Sequence, residues 1–185
     1  MIKDSGTRRE FNTGAVRDIQ EGKGRCDLLP LDVLAEVYSD PVFCRLYNFT
    51  VDGDIMWLYE ALALSMPKFG NYSTMFLEVS KHFEEGALKY GDHNWQKGIP
   101  ARCYIDSAIR HYLKLLRNDT DEPHDRAFVW NIMCCIWTCI HKPELNDYGK
   151  QRENTERCVS CGAEIPEGRQ VCPNCEGRRA TNDSN

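Results

Sequence analysis

The stretch PARCYIDSAIRHYLKLLRNDTDEPHDRAFVWNIMCCIWTCIHKP, residues 100–143, decides the fold. Pro100 suits a first helical turn, and Ile105, Ile109, Tyr112, Leu113 and Leu116 then recur at three- and four-residue spacing, one face of a helix to about Arg117. Asn118-Asp119-Thr120-Asp121 reads as a turn. Phe128, Ile132, Cys135, Ile136 and Cys139 form a second stripe of helical period that ends before Pro143. Two amphipathic helices joined by a short turn predict a bundle.

Working outward, Pro30 precedes Leu31, Leu34, Ala35 and Tyr38 on one helical face, and Asp40-Pro41 restarts the chain. Asp54 is expected to cap a helix holding Ile55, Leu58, Leu62 and Ala63, closed by Pro67, Gly70 and Asn71. Ser73 or Thr74 is expected to cap the next helix, which runs to Tyr90 and stops at Gly91. Residues 27–142 show no strand alternation, so the fold class is all-α, a helical bundle. The expected organisation is a basic N-terminal arm (1–26), a helical domain (27–145), a linker (146–157), a zinc ribbon (158–176) and a polar tail (177–185).

The ribbon rests on Cys158-Val-Ser-Cys161 and Cys172-Pro-Asn-Cys175. Two Cys-x-x-Cys turns aim four thiolates at one point, the arrangement that holds Zn²⁺ tetrahedrally. A full set of four sulfurs leaves no open position, so the zinc is expected to be structural. Cys134, Cys135 and Cys139 fall on apolar helical positions and read as small packing groups.

The net charge of −5 resides wholly in residues 1–149, which carry 22 acids against 17 bases, whereas residues 150–185 carry six of each. An acidic domain repels a phosphate backbone, which disfavours nucleic acid as a partner. Clustered carboxylates suit divalent cations instead. The N-terminus has no apolar leader, and the longest apolar run, Phe128 to Ile140, is too short for a membrane span. A cytoplasmic protein with no membrane partner is the expectation.

Acids and histidines gather at the ends of three helices: Glu84 and Glu85, then Asp106 and His111, then Asp121, Glu122, His124 and Asp125. In combination with other blocks this resembles a known family. Thr13-Gly14-Ala15-Val16-Arg17-Asp18 through Gly22-Lys23-Gly24-Arg25-Cys26-Asp27-Leu28-Leu29-Pro30, the block Gly86-Ala87-x-Lys89-Tyr90-Gly91-x-x-Asn94-Trp95-x-Lys97-Gly98, and Asp121-Glu122-x-His124 with Trp130-Asn131 look like phage dATP/dGTP diphosphohydrolases. These are related to the MazG-like all-α nucleotide pyrophosphohydrolases. The resemblance covers about residues 7–140 and leaves out the ribbon.

The resemblance implies Mg²⁺- or Mn²⁺-dependent hydrolysis of dGTP or dATP to the monophosphate and pyrophosphate, adjusting the nucleotide pool in the cytoplasm of an infected cell. It implies a homo-oligomer, dimer or tetramer. Glu84, Glu85, Asp121 and Asp125 are the implied Mg²⁺ ligands, with Glu122 in the catalytic set. Arg25, Lys89 and Lys97 would offset phosphate charge, Tyr90 and Trp95 would stack on the base, and Asn94 and Asn131 would read its edge. His111 and His124 are further candidates for the substrate. The chain departs from the MazG-like pattern in one half. Glu122-x-x-Asp125 fits, but Glu84 and Glu85 are adjacent and point about 100° apart on a helix. That departure motivates an alternative, a nucleotide-sequestering protein without turnover. The ribbon motivates another, an adaptor.

Overall fold

The structure is a computed structural model that describes residues 6–149 and, further on, the backbone of residues 155–157 and 164–166. It divides into two compact units, Met1–Gly149 and Lys150–Asn185. In the second unit, β3 (Thr155–Arg157) pairs antiparallel with β4 (Glu164–Pro166). Cys158, Cys161, Cys172 and Cys175 lie outside the described residues.

The first unit opens with a hairpin, β1 (Arg8–Glu10) antiparallel to β2 (Val16–Asp18), with Arg9 opposite Arg17. Six α-helices follow: α1 (Leu31–Tyr38), α2 (Pro41–Asp52), α3 (Met56–Ser65), α4 (Tyr72–Tyr90), α5 (Ala101–Leu116) and α6 (His124–His141). The expected basic arm thus contains two short strands, and the fold is helical with small β-hairpins added.

Local chemistry explains the helix ends. Asp40 accepts the Val42 amide at 2.9 Å while Pro41 occupies the first position of α2. Gly53 closes that helix at φ 72°, a left-handed conformation with no Cβ to clash. Asn71, not Ser73 or Thr74, caps α4 by accepting the Thr74 amide at 2.8 Å. Asp54 accepts the Met56 amide at 2.9 Å at the start of α3.

The stripes read from the sequence form the core. Ile105, Ile109 and Tyr112 of α5 and Phe128, Ile132 and Cys135 of α6 are fully buried, together with Phe43, Leu46 and Phe49 of α2. Phe128 packs against Tyr112 with the rings tilted at 37° and 5.0 Å apart, and Phe43 meets Tyr112 edge-on at 5.2 Å. Burying such side chains supplies roughly 1.5–3 kcal/mol each. The Tyr112 hydroxyl donates to Asp40 at 2.8 Å, and Lys68 reaches the same carboxylate at 2.6 Å, tying α5 to the α2 cap. The expected linker begins as part of this unit: Asn146 donates to the Gly53 carbonyl at 2.9 Å, and Tyr148 packs edge-on against Phe49 at 5.3 Å. No described helix is long and apolar enough to cross a membrane.

Candidate functional site

A cavity of about 760 Å³ lies between the end of α4, one face of α5, the start of α6 and the segment 16–23 that follows the hairpin turn. Segment 8–27 is a strap across the bundle, fixed by side chains distant in sequence. Asn94 grips the Val16 backbone twice, accepting its amide and donating to its carbonyl, both at 2.9 Å. Thr13 donates to the Gly98 carbonyl at 2.6 Å, and Lys97 to the Gly14 carbonyl at 3.1 Å. Asp18 accepts from Arg8 (2.9 Å), Lys89 (2.7 Å) and the Tyr90 hydroxyl (2.8 Å). Partial burial works to raise the Asp18 pKa, but the bonds from Lys89 and Tyr90 outweigh it and hold the carboxyl below the usual aspartate value.

Asp106, buried on α5, is the second anchor. It accepts from Gln20 at 2.9 Å and from the Cys26 amide at 2.7 Å, and pairs with Arg110. Arg110 in turn donates to the Lys23 carbonyl at 3.1 Å. This carboxylate is spent on holding the strap.

Where the last turn of α5 meets the start of α6, three donor groups converge. His111 Nδ1 faces His124 Nδ1 at 3.0 Å, and Glu122 Oε1 lies 3.7 Å from each. Behind them His124 Nε2 meets Asp121 Oδ1 at 2.8 Å. Lys114 approaches Asp121 at 3.1 Å and Glu122 at 3.9 Å. Burial, then the neighbouring His124, holds the His111 pKa well below the usual histidine value, so its ring is neutral at pH 7. Two nitrogens this close are satisfied by one shared proton or by a common cation. The ligand atoms of His111, Glu122 and His124 lie within 4.8 Å of one another, as do those of Asp119, Asp121 and His124. Both sets mix imidazole with carboxylate, which fits a divalent cation and suits Mn²⁺ at least as well as the oxygen-preferring Mg²⁺.

Of the carboxylates expected from the sequence, Glu84, Asp121 and Glu122 line the cavity. Glu85 instead accepts from the buried Arg126 at 2.8 and 2.9 Å, and Asp125 accepts the Arg126 amide at 2.7 Å; neither lines the cavity. Tyr90, Asn94, Trp95, His111 and Asn131 line it. His124 is buried behind His111, while Lys89 and Lys97 bind Asp18 and the strap backbone. Arg25 forms a surface pair with Asp27 at 2.6 and 2.7 Å, away from the cavity. Arg9, Arg17, Lys23 and Arg110 are cavity cations that the sequence reading missed. The basic composition of the strap was the available signal, but nothing in it shows which cations turn inward. Trp130 packs against the core and also forms cavity wall beneath the Arg17 guanidinium, which lies 5.5 Å from the ring centroid. Cys134 and Cys135 are buried, and burial pushes both thiols up, away from nucleophile chemistry.

Helices α4 to α6, which build most of this cavity, lie in a region of the chain that is similar to a known family. Residues 66–148 match the family model of the dATP/dGTP diphosphohydrolase N-terminal domain. The matched diphosphohydrolase region takes in both the Glu84 face and the His111–Glu122–His124 corner, while the strap lies outside it. No curated protein and no solved structure matches the chain.

Proposed function

We propose that the cavity binds a purine deoxynucleoside triphosphate, dGTP or dATP, and hydrolyses it between the α and β phosphates, within the nucleotide metabolism of a phage infection. One observation carries the reading: a single cavity, built largely by the region that matches the diphosphohydrolase model, joins a His–Glu–His cation corner to a bank of basic residues. Water attacks the α-phosphorus, the bond to the bridging oxygen breaks, and pyrophosphate leaves with that electron pair. A divalent ion, when bound, offsets phosphate charge and lowers the pKa of water. His111, Glu122 and His124 would hold it, with Asp121 fixing the His124 ring. Trp95 and Trp130 offer flat walls to a base, and the volume accommodates a nucleotide. The expected result is turnover of dGTP or dATP that disappears on chelation with EDTA and returns with Mn²⁺ or Mg²⁺. Turnover unaffected by chelation would contradict the reading.

A second reading, sequestration without cleavage, is favoured by the Glu85–Arg126 pair, which commits one of the expected acids elsewhere. It predicts that dGTP incubated with the protein and a divalent ion is recovered intact.

For the second unit, we propose a structural Zn²⁺ on Cys158, Cys161, Cys172 and Cys175, supported by their spacing. Elemental analysis should find one equivalent of zinc per chain, lost in the double variant Cys158→Ser, Cys172→Ser. Zinc content unchanged in that variant would exclude the assignment.

A further inference from the structure

Most cations near the cavity are spoken for: Lys89 by Asp18, Arg110 by Asp106, Lys114 by Asp121. Three on the strap differ. Arg17, half-buried, donates only to neutral acceptors among the described residues, the Asn131 side chain at 3.1 Å and the Cys103 carbonyl at 3.4 Å, and lies over the Tyr104 and Trp130 rings. Arg9 likewise meets Gln20 at 3.2 Å and the Cys103 sulfur at 3.4 Å, and its Nε is buried with no partner. Lys23 stands exposed at the cavity rim between Gly22 and Gly24, both at positive φ. Its amide closes a turn on the Gln20 carbonyl at 3.0 Å and its carbonyl is held by Arg110, yet among the described residues its ammonium makes no hydrogen bond or ion pair.

The arrangement is costly without an anion. Partial burial holds the Lys23 pKa below the usual lysine value, and the charges of Arg110, Arg17 and Lys89 add to that against the opposing charge of Asp18. The backbone of Lys23 is anchored while its charge stays available, the preorganisation that anion recognition needs.

We propose that Arg17 and Lys23, supported by Arg9, form an oligophosphate subsite, so that the strap holds the phosphate tail of the nucleotide. This rests on the functional reading above and adds that recognition comes from the segment outside the family match. Guanidinium and ammonium donors to phosphate are charge-assisted, each adding about tenfold or more in affinity.

The test is calorimetric titration in EDTA, which prevents turnover, with three probes: inorganic tripolyphosphate, dGTP and deoxyguanosine. Lys23→Met should weaken tripolyphosphate and dGTP about tenfold or more and leave deoxyguanosine unchanged, and Lys23→Arg should restore both. Lys23 is exposed, so the variants keep the fold. Equal tripolyphosphate and dGTP binding by wild type and Lys23→Met would overturn the subsite while leaving the hydrolase reading intact. Lys23-dependent binding of tripolyphosphate by a protein that never cleaves dGTP would support the subsite and remove the hydrolase reading.

Discussion

Glu122→Gln is expected to lower the turnover of dGTP by about two orders of magnitude or more, the scale of losing one preorganised charge in an active site. The substitution preserves side-chain shape. It removes the carboxylate charge from a corner where Oε1 lies 3.7 Å from both imidazole nitrogens. An amide is a poor cation ligand, and its NH₂ group would face Lys114, a group that also only donates. Mn²⁺ affinity, read by electron paramagnetic resonance, should fall with activity. Glu60→Gln is the control: Glu60 pairs with Arg45 at 2.5 Å and does not line the cavity, so turnover should not change. A Glu122→Gln protein with wild-type Mn²⁺ affinity and turnover would exclude the His–Glu–His corner.

The second large effect is expected at Asp106, through the strap. Asp106→Ala leaves the Cys26 amide and Gln20 without their acceptor and Arg110 without its carboxylate. Breaking one side of a buried pair costs about 3–5 kcal/mol. At about 2–4 °C per kcal/mol for a domain of this size, Tm should fall by about 10 °C. Loss should be local first, because the strap is the element Asp106 holds. Limited trypsin digestion should cut within residues 17–25 before the helices open, and KM for dGTP should rise more than kcat falls. Uniform loss of the whole bundle, with no early cut in the strap, would show Asp106 to be a core residue only.

These two residues also show what was legible in the sequence. The stripes of α5 and α6 could be read because local spacing alone decides which face is buried, and the tripeptide ends Asp40-Pro41-Val42 and Tyr90-Gly91-Asp92 mark boundaries by backbone chemistry. The roles of single charges could not, because each depends on a partner far along the chain. Glu85 is taken by Arg126, 41 residues on, and Asn94 by Val16, 78 residues back. Asp106 stands in the sequence among acids at helix ends, and its strap partners Gln20 and Cys26 lie 86 and 80 residues back. Arg25 and Lys23 share one glycine-flanked run, and composition does not separate them. The one local clue was Asp27, two residues from Arg25 and able to engage it at the surface. The hairpin at residues 8–18 escaped notice because three-residue strands carry too little alternation to register.

The position of bond cleavage tests the account most directly. Phosphorus-31 NMR of dGTP incubated with the protein and Mn²⁺-free Mg²⁺ should show dGMP and pyrophosphate rising in equal amounts, with no dGDP. Accumulation of dGDP with inorganic phosphate, or a triphosphate spectrum that does not change, would contradict it.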